Sequence, residues 1–188
     1  MSQKPQTVIV DNCAVDRLAE FGVSPVADFE NTEFRLAYTP DLKLEYEQAL
    51  EASAGTSQEA RTSIEQILKT GNLIGFFGFD DGPWLGFGQG MWIGKDQFDM
   101  IESVNAQVNA RGLPRKRTDA HLVALARDAI VITANAKESH WTRSPIGSGL
   151  VVQWKELKNV LLQRPNLAVA LRHLIAVRGS ALVPSGPP

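Results

Sequence analysis

The sequence predicts an α/β fold, a three-layer sandwich in which helices flank a central, mainly parallel sheet. Two apolar, β-branched runs, at residues 7–10 and 129–133, are typical of buried strands. Segments with helical apolar spacing follow these runs, and strands that alternate with helices indicate a parallel sheet. The composition, 44% hydrophobic and 21% charged over 188 residues, suits one domain with a sizeable core.

The first half of the chain predicts two strands and three helices. Pro40 stands near the first position of a helix, where its fixed φ and missing N–H are tolerated. Thr56 and Glu59 have the spacing of a capping box, and Gly71 ends the helix that they begin. The predicted order is strand, helix, loop, strand, helix and helix, at residues 7–10, 14–21, 22–31, 33–38, 40–54 and 56–70.

The second half begins with a segment rich in glycine and aromatic residues, at about 72–94. Its seven glycines disfavour a helix, so we expect a long loop with short strands, inserted into the domain. Its rings suit either stacking on unpaired bases or a lid or dimer interface. We expect a single domain over 1–178 and a flexible tail over 179–188. The other predicted elements are helices at 95–110, 118–127, 154–162 and 165–177, a basic loop at 111–117, and strands at 129–133 and 150–152.

Several classes of protein are disfavoured by what the sequence lacks. It has no apolar stretch long enough to span a membrane and no signal-peptide core, so we expect a soluble, cytoplasmic protein without a membrane partner. Cys13 is the only cysteine, which excludes an intrachain disulfide framework, and we expect it to be a small buried hydrophobe. Neither common glycine-rich nucleotide loop is present.

Charge is distributed unevenly along the chain. Residues 1–60 hold 4 basic and 11 acidic side chains, whereas residues 105–188 hold 12 basic and 4 acidic ones. Such a separation can place a basic surface beside an acidic site, as in a cation-dependent enzyme that acts on a polyanion. It is equally compatible with complementary faces within one fold or between subunits.

Four polar residues stand where a parallel sheet would bring them together. Asp11 and Asn135 follow predicted strands, whereas Glu45 lies about one turn into one predicted helix and Asp119 in the first turn of another. Strand ends and the starts of the following helices face the same edge of a parallel sheet. Clustered carboxylates repel one another unless a cation lies between them, and oxygen ligands without histidine suit Mg²⁺ or Mn²⁺.

At these residues the sequence resembles the PIN-domain family of metal-dependent ribonucleases. Residues 8–13 (VIVDNC) are similar to the opening strand and acid of that family, and residues 40–50 (PDLKLEYEQAL) to its second acidic motif. Residues 118–126 (TDAHLVALA) and 130–135 (IVITAN) resemble the third and final motifs. The four motifs occur in the family's order and span about residues 6–162.

The resemblance implies a PIN-like fold and an endoribonuclease that hydrolyses RNA phosphodiester bonds. Asp11, Glu45 and Asp119 would hold Mg²⁺ or Mn²⁺, and Thr133 or Asn135 would position water or substrate. Basic residues before the third acid, Arg115, Lys116 and Arg117, would contact phosphates. Many bacterial relatives are toxins, which would imply an antitoxin or other protein partner, and we expect a homodimer.

One departure from the family pattern keeps an alternative open. Asn135 stands where the family usually has a fourth acid, so the site carries one negative charge fewer. The chain could therefore be a catalytically decayed PIN-like module that binds RNA or a protein partner. A third reading is an α/β hydrolase or phosphatase with Asp11 as nucleophile, but Cys13 occupies the position where phosphoryl transfer normally needs a second acid.

Overall fold

The computed structural model describes residues 5–52, 55–77, 90–92, 121–122, 125–126, 129–135 and 151–181. Its strands are β1 (Gln6–Val10), β2 (Phe34–Tyr38), β3 (Asn72–Leu73), β4 (Gly75–Phe77), β5 (Gly90–Trp92), β6 (Ile130–Thr133) and β7 (Val151–Gln153). Its helices, numbered in chain order over these residues, are α1 (Asn12–Glu20), α2 (Pro25–Phe29), α3 (Pro40–Glu51), α4 (Gln58–Thr70), α5 (Trp154–Leu161) and α6 (Leu167–Ala181). The helix predicted over 95–110 and the basic loop at 111–117 lie outside the described residues.

Five strands form the central sheet in the order β3-β2-β1-β6-β7, and every pair is parallel. Val8, Ile9 and Val10 of β1 are at most 1% exposed, although consecutive strand residues point to opposite faces. Both faces of the sheet are therefore covered, as in a parallel sheet with helices on each side. The predicted three-layer α/β sandwich with a parallel sheet is confirmed.

The order of the strands reverses once, between β1 and β6. From β1 the chain adds β2 and β3 on one side, and it then returns to add β6 and β7 on the other. In open α/β sheets the crevice outside the carboxyl ends of the strands at such a switch point is the usual place for a ligand. We call the carboxyl ends of β1 and β6 the switch point.

Helix starts follow local capping chemistry, with one correction to the sequence prediction. Thr39 caps α3, its hydroxyl accepting the N–H of Leu42 at 3.1 Å. The N-cap of α4 is Ser57 rather than Thr56, and its hydroxyl accepts the N–H of Ala60 at 3.1 Å. The capping-box prediction was therefore wrong by one residue, because the adjacent serine has the required extended backbone and reach.

The structure departs from the sequence prediction in some elements and agrees with it in others. The loop predicted over 22–31 contains α2. The glycine-rich segment holds short strands, as expected, but β3 joins the central sheet, whereas β4 and β5 form a separate parallel pair. Helix α6 also continues to Ala181, three residues into the predicted tail. A glycine such as Gly179 lowers helix propensity without forbidding the helical backbone.

Candidate active site

The two strand-end residues that the sequence placed near the site meet at the switch point. Asp11 directly follows β1 and Thr133 ends β6, and the N–H of Asp11 donates to the carbonyl of Ile132 at 2.8 Å. Asp11 also begins α1, where its carbonyl accepts the N–H groups of Ala14 and Val15 at 2.8 and 3.1 Å. Its backbone is therefore fixed on both sides.

The Asp11 carboxylate is nearly buried, at 5% exposure, and does not cap its own helix. Its Oδ2 accepts the Thr133 hydroxyl at 2.7 Å and the Cys13 thiol at 2.9 Å. Among the described residues, two donate hydrogen bonds to this carboxylate, and both bonds are accepted by Oδ2. A carboxylate oriented by two donors on Oδ2 can turn Oδ1 to a ligand, as a metal site requires.

Thr133 connects Asp11 with the chain that leaves β6. Its side chain is wholly buried, and its Oγ1 donates to Asp11 while accepting the N–H of Asn135 at 3.1 Å. One hydroxyl can donate once and accept from other groups, so this geometry satisfies it. The role of Thr133 in the described structure is to hold the carboxylate of Asp11.

Cys13 is a site residue that the sequence did not suggest. Burial, the negative charge of Asp11 and the hydrogen bond to it raise the pKa of this thiol to about 12. The thiol is therefore protonated at neutral pH and acts as a donor, which disfavours a nucleophilic role. Its position in the first turn of a helix capped by Asp11 was the available signal.

Tyr46 is a second residue that sequence reasoning missed. It is fully buried in α3, and its hydroxyl donates to the carbonyl of Val10, the residue before Asp11. Burial raises the pKa of this phenol well above its usual value, and the charges of Asp11, Glu45 and Cys13 raise it further. A buried tyrosine hydroxyl needs a partner, and its place beside a predicted ligand was the signal in the sequence.

Glu45 lies within α3, directly before Tyr46. Its side chain is half-buried, and its charge is one of those that raise the pKa of the Tyr46 phenol. Mg²⁺ commonly binds through one or two carboxylates and keeps several waters, so the carboxylates of Asp11 and Glu45 are of a suitable ligand type.

The start of α3 is joined to the helical residues that follow the predicted third acid. Asp41 Oδ2 lies 2.7 Å from Nδ1 of His121, and the two side chains are 21% and 18% exposed. His121 is two residues after Asp119 in the sequence. Asp119 and the predicted phosphate contacts Arg115, Lys116 and Arg117 lie outside the described residues.

No group of three or more histidine, cysteine, aspartate or glutamate side chains that could hold a metal ion occurs within the described ranges. A pocket of ≈ 470 Å³, the site pocket, is lined by residues that include Asp16 and two neighbours of the Asp11–Thr133 pair, Cys13 and Asn135. Asn135 therefore borders the site through its place on the pocket and through its N–H bond to Thr133.

Comparison with known proteins gives no match: no protein-family profile fits the chain, and no curated protein or solved structure is significantly similar to it. In the part of the chain that the structure describes, every helix is too short or too polar to cross a membrane.

Proposed function

We propose that the protein is a metal-dependent endoribonuclease with a PIN-like site. The observation that carries the proposal is the nearly buried Asp11 carboxylate, which the Thr133 hydroxyl and the Cys13 thiol orient at the switch point of a parallel sheet. The order of the four sequence motifs supports the choice of chemistry. The toxin role, the antitoxin partner, the dimer and the cytoplasmic location rest on the resemblance and the composition alone.

In this proposal each residue has a distinct task. Asp11 and Glu45, with Asp119, would hold Mg²⁺ or Mn²⁺, and Thr133 and Cys13 keep the carboxylate of Asp11 in its orientation. When bound, the cation supplies Lewis-acid chemistry at the scissile phosphate and the attacking water. Hydrolysis forms a bond from phosphorus to the water oxygen and breaks the bond to the leaving ribose oxygen.

RNA cleavage in Mg²⁺ or Mn²⁺ tests the proposal. We expect wild type to cleave single-stranded RNA and to lose activity with a chelator, and we expect Asp11→Asn, Glu45→Gln and Asp119→Asn each to reduce cleavage by at least about a hundredfold. Glu51→Gln is the matched control, because Glu51 is an exposed acid at the end of the same helix as Glu45. Equal cleavage by all five proteins would exclude the proposed mechanism.

The second candidate function is a non-catalytic PIN-like module that binds RNA or a protein partner. Asn135 favours it, because an amide borders the site pocket where the resemblance leads one to expect an acid. Calorimetry with Mn²⁺ separates the two functions. Absence of Mn²⁺ binding together with retained RNA binding would favour the binding module, whereas Mn²⁺ binding that Asp11→Asn abolishes would favour the enzyme.

A further inference from the structure

A second pocket, the outer pocket, adjoins the site pocket and is not used by the proposed metal chemistry. It has a volume of ≈ 500 Å³, within the usual range for small-molecule sites. It lies between the C-terminal end of α1 and the start of α5. Arg17, Glu20 and Ala134 line both pockets, so the two are neighbours on the surface.

Two aromatic side chains form the apolar part of the outer pocket. The rings of Phe21 and Trp154 meet edge to face, with centroids 5.7 Å apart and planes at 83°. Both side chains are partly exposed, and the Lys158 ammonium lies 5.9 Å from the centre of the Phe21 ring. The rings are therefore held in a fixed arrangement at a surface that a planar ligand can reach.

Charged side chains around the rings favour an anion. Arg17, Lys155 and Lys158 contribute three positive charges, and Glu20 contributes one negative charge. Glu20 is paired with Arg17 at 2.8 Å, which leaves the two lysines as the excess charge. Both lysines are exposed, so a phosphate can approach them without displacing a buried partner.

Gln153 adds an unsatisfied polar group to this pocket. Its Oε1 is buried and has no hydrogen-bond partner, the single such side-chain atom in the described ranges. A buried acceptor without a donor is unfavourable. Gln153 also lines the outer pocket, so its amide is the acceptor nearest to hand for an N–H group of a ligand there.

We propose that the outer pocket binds one nucleotide of a single-stranded nucleic acid. A planar base suits the Trp154 ring, its N–H groups suit Gln153, and a phosphate suits Lys155 and Lys158. A duplex does not fit, because its bases are already stacked and paired. The inference rests on the proposed function for its biological substrate, and the lining residues shared with the site pocket place this nucleotide on the same side of the molecule as Cys13 and Asn135.

Binding of a fluorescein-labelled oligouridylate, measured by anisotropy with a chelator present, tests the pocket without cleavage. We expect Trp154→Leu to weaken binding about tenfold, since stacking on one aromatic ring contributes on that order. The double variant Lys155→Gln and Lys158→Gln should reduce the slope of log affinity against log salt by about two. Lys69→Gln is the matched control, an exposed lysine on α4 that lines neither pocket.

The outcomes separate this inference from the proposed function. Unchanged affinity and salt slope in the lysine variant, which alters only exposed side chains, would overturn the nucleotide pocket even if Trp154→Leu fails to fold. Absence of oligouridylate binding by wild type would also overturn it, as would equal affinity for a blunt RNA duplex. Oligouridylate binding by wild type in the chelator, with no RNA cleavage when Mg²⁺ or Mn²⁺ is added, would support the nucleotide pocket and exclude the proposed function.

Discussion

Replacing Thr133 by valine removes the hydroxyl that donates to Asp11 and accepts the N–H of Asn135. The two side chains are nearly the same shape, so the wholly buried site gains no cavity and loses only the hydroxyl. The lost bond is 2.7 Å long and ends on a carboxylate that is 5% exposed. Hydrogen bonds to charged groups contribute about 1.5–3 kcal/mol, so we expect the free energy of unfolding to fall by about 2 kcal/mol.

Urea denaturation of four proteins measures this bond as a double-mutant cycle. In an Asp11→Ala background the Thr133→Val change should cost less than about 1 kcal/mol, because only the bond from the Asn135 N–H is then lost. Thr133→Ser keeps the hydroxyl and loses a methyl group, so it should cost about 1 kcal/mol in either background. An equal cost of Thr133→Val with and without the Asp11 carboxylate would refute the reasoning.

Three further predictions follow from the described contacts. Tyr46→Phe removes the donor to the Val10 carbonyl, so we expect a loss of about 1–2 kcal/mol in urea denaturation and weaker Mn²⁺ binding by calorimetry. Glu33 is held by two guanidinium N–H groups of Arg172, which lower its pKa from 4.5 to about 2. The contribution of this ion pair to the free energy of unfolding is therefore present above pH 4.5 and is lost as the pH falls toward 2. The contribution should be below about 1 kcal/mol, because the ion pair is exposed. The prediction would be contradicted if acid lowered the free energy of unfolding of wild type and of Arg172→Gln equally. The Cys13 thiol has a pKa of about 12, so at pH 8 it should react with iodoacetamide about a thousandfold more slowly than an ordinary thiol. Unfolding the protein should restore the ordinary rate, and mass spectrometry can follow the reaction.

The elements with strong apolar patterns could be predicted from the sequence. The prediction failed for elements that depend on distant contacts. β1 and β6 contain continuous β-branched runs, a pattern typical of strands that are buried on both faces of a parallel sheet. The five-residue α2 has a weak local signal, and its Asp28 carboxylate accepts the N–H of Leu167 at 2.6 Å from the start of α6. No window of sequence around residue 28 contains that partner.

In the candidate site, too, some features could be predicted from the sequence and others could not. That Asp11 and Thr133 end adjacent at one edge follows from parallel pairing of two buried strands, which the sequence indicates. That the Thr133 hydroxyl and the Cys13 thiol converge on one oxygen of Asp11 depends on rotamers at the edge, which the strand pattern does not determine.

The bond between Tyr46 and Val10 ties α3 to the end of β1. Each partner of this bond is the sequence neighbour of a predicted ligand: Glu45 precedes Tyr46, and Asp11 follows Val10. Consecutive helical residues are about 100° apart around the helix, so when Tyr46 points at the strand, Glu45 is on an adjacent face of the helix rather than on the opposite one. The buried hydroxyl therefore joins the two elements at the positions where each carries a predicted ligand.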